Sequence, residues 1–207
     1  MSSPIIASTI QACVLSATGN IIAQFLTAYK NDKPFVAEFR PIFQFVLYTI
    51  LSTPPNMLWQ YFLEGSFPAT YTTPSRSAID AASKSNEAEL DREEKTHEIT
   101  EERLSIRNLI IKVLLDQTIS ASVNTLMFSL AFAGFNGLSY AEAWSEAKGQ
   151  YLPLMLAGWK LWPLVSLVGF SLVKSVEGRN LLGSLAGLGW GVYLSLTMSG
   201  HTEALST

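Results

Sequence analysis

Polar side chains recur at helical spacing inside the first apolar stretch: Thr9, Cys13, Ser16, Asn20, Gln24 and Thr27. Steps of three and four bring them onto one stripe of a helix. Ala12, Ala17, Gly19 and Ala23 lie beside the stripe, and Ile10, Val14, Ile21 and Phe25 face away. In a bilayer such a stripe either bonds and packs against another helix or lines a pore or cavity. Asn20 and Gln24 are the pair to test. A third segment carries Lys112, Asp116, Gln117, Ser120 and Asn124. A fourth carries Lys160 within Trp159-Lys160-Leu161-Trp162-Pro163. An unpaired ammonium at mid-bilayer costs about 2.5–3.5 kcal/mol on insertion scales. Lys160 is therefore expected either to meet Asp116 inside the bundle or to snorkel out past a shifted helix boundary. Lys112, on its own helix, is a second candidate partner for Asp116.

Other chemistries leave no trace. There is no phosphate-binding glycine loop, no His-Glu-x-x-His and no Ser–His–Asp set within the apolar stretches. The one cysteine, Cys13, excludes an intrachain disulfide and a cysteine-based zinc site. His97 and His201 sit in polar or terminal stretches and make a poor metal cluster. No metal, cofactor or catalytic residue is expected, and the chain does not read as an enzyme. The net charge of −3, with no basic stripe, argues against nucleic acid.

The elements that hold these residues follow from where charge is missing. Of 207 residues only 31 are charged, and 15 of those lie between Arg76 and Arg107. The rest is not dressed for water. Five stretches are nearly or wholly uncharged: Ile5–Tyr29, Pro41–Leu63, Gln117–Ala141, Gln150–Val173 and Asn180–Thr202. The third helix should begin earlier, near Ile106. About 20 apolar residues cross a bilayer as a helix, and backbone in lipid must pair within its own segment. The expectation is an all-α integral membrane protein. It is one domain over residues 1–207, a bundle of four to five transmembrane helices. Residues 72–105 form a charged hydrophilic loop between the second and third spans, solvated or a short frayed helix, with docking or regulation as the functional alternative. Basic residues fall in loops on opposite sides, so positive-inside counting chooses no orientation.

Two features concern packing. Pro54 and Pro55 should break or kink the second span, and Pro163 the fourth. Gly183, Gly187, Gly191, Ser195 and Ser199 repeat at every fourth residue of the last span. This small-residue row admits a close helix neighbour, within the chain or in a homo-oligomer.

The ordered set of motifs resembles the Mpv-seventeen and twenty-two-kilodalton peroxisomal membrane protein family. The resemblance rests on Trp159-Lys160-Leu161-Trp162-Pro163 with Phe170, then Arg179, Trp190, Tyr193, Leu194 and Ser195. Asp116-Gln117, Asn136-Gly137, Gly19-Asn20, and Pro54, Trp59, Leu63 and Phe67-Pro68 extend it over most of the chain. The family tends to have His at Met57, Asn at Gly158 and Gly169, Gln at Ser166, Pro at Ser122 and Lys174, and Asp at Asn20. One extra residue lies between Val173 and Arg179. Any pore built on the lost polar groups would be less polar, or closed.

The resemblance implies a small protein of the peroxisomal membrane or the mitochondrial inner membrane, with some members forming weakly selective pores. The leading expectation is a pore for small metabolites, lined by Ser16, Asn20, Gln24, Asp116, Gln117, Asn124 and Lys160. Its partners would be the lipid bilayer and small solutes. The rival is a non-conducting scaffold that oligomerises through the small-residue row. The first stretch does not read as a cleaved signal, and no Arg-rich presequence is seen, which favours the peroxisome.

Overall fold

The computed structural model describes residues 3–84, 87–88, 92 and 100–204, with side chains through 193. The fold is all-α apart from one small strand pair. Helix α1 covers Pro4–Lys30, with Pro4 at its first turn, where a missing N–H costs nothing. Helix α2 covers Phe39–Ser66. Strand β1 (Thr70–Pro74) and helix α3 (Arg76–Ser83) follow, then strand β2 (Thr100–Leu104). Helix α4 (Ile106–Leu115), a π-helical turn (Asp116–Ser120) and helix α5 (Ala121–Phe135) make one rod. Helices α6 (Tyr140–Gly158) and α7 (Trp162–Leu172) form a bent pair, and α8 covers Val176–Ala204.

Local chemistry explains the boundaries. Ser105 caps α4 by accepting from the Asn108 N–H at 3.3 Å, which puts the start at Ile106 as the uncharged run suggests. The α5 helix stops at Asn136-Gly137, short of Ala141. Gly137 takes a φ of +82°, and the Leu138 N–H closes back on the Ala133 carbonyl at 3.1 Å. Ser139 and Glu142 form a capping box that starts α6 ten residues before the apolar run at Gln150. Pro163 sits in the first turn of α7, beyond a 56° bend. By contrast α2 runs on as helix through Pro54 and Pro55, so of the two expected outcomes, break or kink, the break does not occur.

The charged loop is more ordered at its base than expected. Thr70 to Pro74 pair antiparallel with Leu104 to Thr100, and Ser75 caps α3. Threonine and tyrosine in β1 suit a pleated strand, and closing both ends of the insertion lets them pair. Most of 85–99, His97 included, lies outside the described residues.

The rods alternate in direction. Asn180 of α8 reaches the Ser8 carbonyl of α1 at 3.5 Å, and Leu188 lies against Gly19. Both numbers rise together, so α1 and α8 run parallel, as the first and fifth of five alternating rods must. Large apolar side chains face outward, among them Ile10, Val14, Phe43, Leu114, Leu164 and Leu172. The buried positions of α1 are small or polar: Ser8, Ala12, Gly19 and Ala23. That inversion is what lipid as solvent selects. By length and apolarity, α1 and the Ile106–Phe135 rod can cross a membrane, and the bent pair makes up to three such spans among the described residues. This is fewer than the four to five expected. Helix α2 is long enough at 28 residues, but its polar stripe lowers its apolar content.

Candidate functional site

Helix α2 carries a polar residue at every fourth position: Arg40, Gln44, Tyr48, Ser52, Asn56, Gln60 and Glu64. The facing rod carries Lys112, Asp116, Ser120 and Asn124 at the same step. The two run antiparallel and meet rung by rung. Lys112 Nζ lies 3.1 Å from Glu64 Oε2. Gln60 Nε2 is 3.5 Å from Asp116 Oδ1. Asn56 and Asn124 exchange amide bonds at 3.1 and 2.8 Å, and Asn124 also donates to Ser120 Oγ at 3.2 Å. At the far end Arg40 and Gln44 reach Asn136 Oδ1 at 3.5 and 3.4 Å. Aromatic rings close that end, with Tyr48 edge-on to Phe128 at 5.3 Å.

The π-turn makes the ladder possible. In an α-helix each step of four residues over-rotates by about 40°, so Lys112 and Asn124 would diverge by about 120°. A π-turn absorbs one extra residue, about 100°. The Asp116–Ser120 turn thus brings both ends of the row back onto the α2 face.

Asp116 is the central acceptor. The Ser166 hydroxyl of α7 donates to its Oδ2, and Gln117 Nε2 lies 3.2 Å from the same oxygen. Gln117 Nε2 also reaches Ser166 Oγ at 2.9 Å, and its carbonyl accepts from Trp159 Nε1 at 3.1 Å. The bent pair is thereby tied to the π-turn.

The strongest rung is ionic. Glu64 Oε2 receives Lys112 Nζ at 3.1 Å and Arg179 Nη1 at 2.6 Å, while Oε1 accepts the Ala69 N–H at 3.0 Å. Lys112 is 0% exposed and Arg179 7%. Both cations lie over the buried Phe170 ring, at 5.1 and 5.3 Å from its centroid. Leu63, Leu109 and Phe170 form the hydrophobic core beside this rung. One carboxylate thus joins the ends of α2, α4 and α8.

The sequence-expected residues divide. Asp116, Gln117 and Asn124 stand on the ladder. Lys160 does not meet Asp116: it is exposed in the break between α6 and α7, which is the snorkelling alternative. Nor does Lys112 pair with Asp116, because Glu64 holds it. Gln24 donates to Asn20 Oδ1 at 2.8 Å and exchanges bonds with the Glu38 backbone at 2.9 and 2.8 Å. That pair pins the α1–α2 connection. Cys13 faces the Val46 carbonyl at 4.0 Å, and Ser16 is half-buried. Gly187 meets the Trp162 ring at 3.9 Å, whereas Gly183 and Gly191 meet nothing within 4 Å. The close approach expected of that row occurs at Gly19 instead. The side chains of Ser195 and Ser199 lie outside the described residues. Asn56, Gln60, Glu64 and Arg179 were not singled out as site residues from sequence. The four-residue polar repeat of α2 was the available signal.

The family model described as Mpv17 / PMP22 family matches residues 133–195. Protein SYM1 of Saccharomyces cerevisiae is 28% identical over 88 residues, covering 42% of this chain and 44% of that protein. PXMP2/4 family protein 3 of Dictyostelium discoideum is 33% identical over 85 residues, covering 41% and 45%. The chain thus spans less than half the length of these two relatives. Protein sym1 of Schizosaccharomyces pombe is 21% identical across 93% of this chain and 84% of its own. No solved structure matches. With an outward apolar surface and a buried polar ladder, the chain is similar to the Mpv17 / PMP22 family, by the family model over residues 133–195 and by the most extended of these relatives over most of its length.

Proposed function

We propose that the protein is a weakly selective pore for small metabolites across an organelle membrane. The observation that carries the reading is the ladder of polar side chains between α2 and the α4–α5 rod, from Glu64–Lys112 through Gln60–Asp116 to Asn56–Asn124. Polar and ionisable groups inside lipid face the bundle interior or a wet path. A cavity of about 180 Å³ opens beside the ladder, where Asn56, Ser120 and Asn124 meet a mostly apolar wall that includes Trp59, Ile119 and Met127. Asn56, Ser120 and Asn124 would give this cavity its polar side, and Gln60, Asp116 and Gln117 would continue the polar row along the path. None is asked to be catalytic. Purified protein in liposomes should pass small solutes faster than empty liposomes do. The Asn56→Leu/Asn124→Leu variant should slow that flux. No flux above empty liposomes retires the pore reading.

A second reading has its own support. The unfilled space at Gly183 and Gly191 leaves a small-residue face on α8 for a second copy, which suits a non-conducting scaffold. Gly183→Leu should then dissociate oligomers in detergent while solute flux stays unchanged. An unaltered oligomer rejects this face as the contact. Fluorescence co-localisation of a tagged copy with peroxisomal and mitochondrial markers identifies the membrane.

A further inference from the structure

At the Glu64 rung two cations share one carboxylate, and one of them is only partly used. Arg179 donates to Glu64 through Nη1. Its Nε and Nη2 are buried and meet no hydrogen-bond acceptor among the described residues. Those two N–H groups form the side-on edge of the guanidinium, which matches both oxygens of a carboxylate or phosphate. A buried charged donor without an acceptor is costly. Lys112, with no exposed surface, brings a second positive charge to the same spot. Two other carboxylates lie near Arg179: Asp116, one helical turn from Lys112, accepts from Ser166, Gln117 and Gln60, and Glu177 accepts from the Tyr61 hydroxyl at 2.6 Å.

The position also matters. The rung lies at the end of the bundle where the β1–β2 hairpin emerges and α8 begins. Just outside, Lys174 pairs with Glu102 of β2 at 3.8 Å, both largely exposed. The rung therefore sits near the level where hydrocarbon gives way to water. Basic pockets between transmembrane helices at that depth hold anionic head groups.

We infer that Arg179 and Lys112 form an oxyanion-binding site at the hairpin end, taking a phosphate or carboxylate group on the Nε–Nη2 edge of Arg179. Glu64, with 31% of its side chain exposed, holds the opposite Nη1 and competes with the anion for the charge of both cations. The inference goes beyond conduction and does not depend on it. The same chemistry is offered by a free anion and by a lipid head group, and the experiment separates the two.

Full-length protein in a neutral detergent is titrated with inorganic phosphate at constant ionic strength, with chloride as the control. In a second arm it receives phosphatidic acid in place of phosphatidylcholine. Thermal unfolding is followed in both. The expected result is a saturable rise in Tm with phosphate, or with phosphatidic acid if the head group is the natural source, and none with chloride. R179K keeps a charge and a donor for Glu64 but lacks the side-on edge, so the rise should be lost. Glu64→Gln removes the competing carboxylate, so its phosphate-induced rise should exceed that of the wild type. An equal response to phosphate and chloride, with none to phosphatidic acid, overturns the site even if neither variant folds. An undiminished rise in R179K overturns the role of that edge.

Discussion

Glu64→Leu is expected to destabilise the folded protein by about 3–5 kcal/mol, because removing one partner of a buried ionic cluster leaves uncompensated charge. Two cations would be stranded: Lys112 has no exposed surface and Arg179 is 7% exposed. Neither can reach water without unpacking Phe170, which lies under both. The Ala69 N–H would also lose its acceptor, loosening the turn that leads into β1. An exposed pair behaves differently, contributing about 0–1 kcal/mol. The Lys174–Glu102 pair is of that kind, and Glu102→Gln is the matched control. Unfolding midpoints in detergent, followed by circular dichroism, make the comparison. A Glu64→Leu shift no larger than the Glu102→Gln shift would show that the cluster does not hold the three helices.

Gly19→Leu should be the second most damaging change, costing about 1–3 kcal/mol or more by overpacking. A Cβ at Gly19 would stand 3.0 Å from Leu188 Cγ and 3.4 Å from Leu188 Cα. A rotamer change could relieve the first contact. The second involves backbone, so α1 and α8 must separate. These two helices run parallel and join the ends of the chain, so their separation should also weaken the Asn180 bond to Ser8. Gly134→Leu on α5 is the control, since nothing lies within 4 Å of that position. A more stable Gly19→Leu protein, as helix propensity alone predicts, would show that α1 and α8 are not in tight contact.

Much of the helical layout is a local matter and was legible in the residues. Lipid solvates every residue of a span alike, so a run without charge marks a helix whatever its neighbours do. Ser105 before Ile106, Asn136-Gly137 and Pro163 mark a start, a stop and a bend by the backbone bonds that they make or prevent. Even the side facing lipid on α1 follows from spacing. The strands at the base of the charged loop were hidden because each is short and gains a partner only when the insertion closes on itself.

Pairing is another matter, since a polar side chain in lipid takes whichever partner the fold brings near. Lys112 lies four residues from Asp116, yet it bonds to Glu64, far off in the sequence. Lys160, in the middle of an apolar run, points out because the chain breaks on both sides of it. The π-turn, invisible in composition, decides which face the Asp116–Asn124 row presents. Residue types and spacing determined that these rods are membrane helices with polar faces. Tertiary structure alone decided which charges are buried together, because an ion pair depends on distance in space and not along the chain.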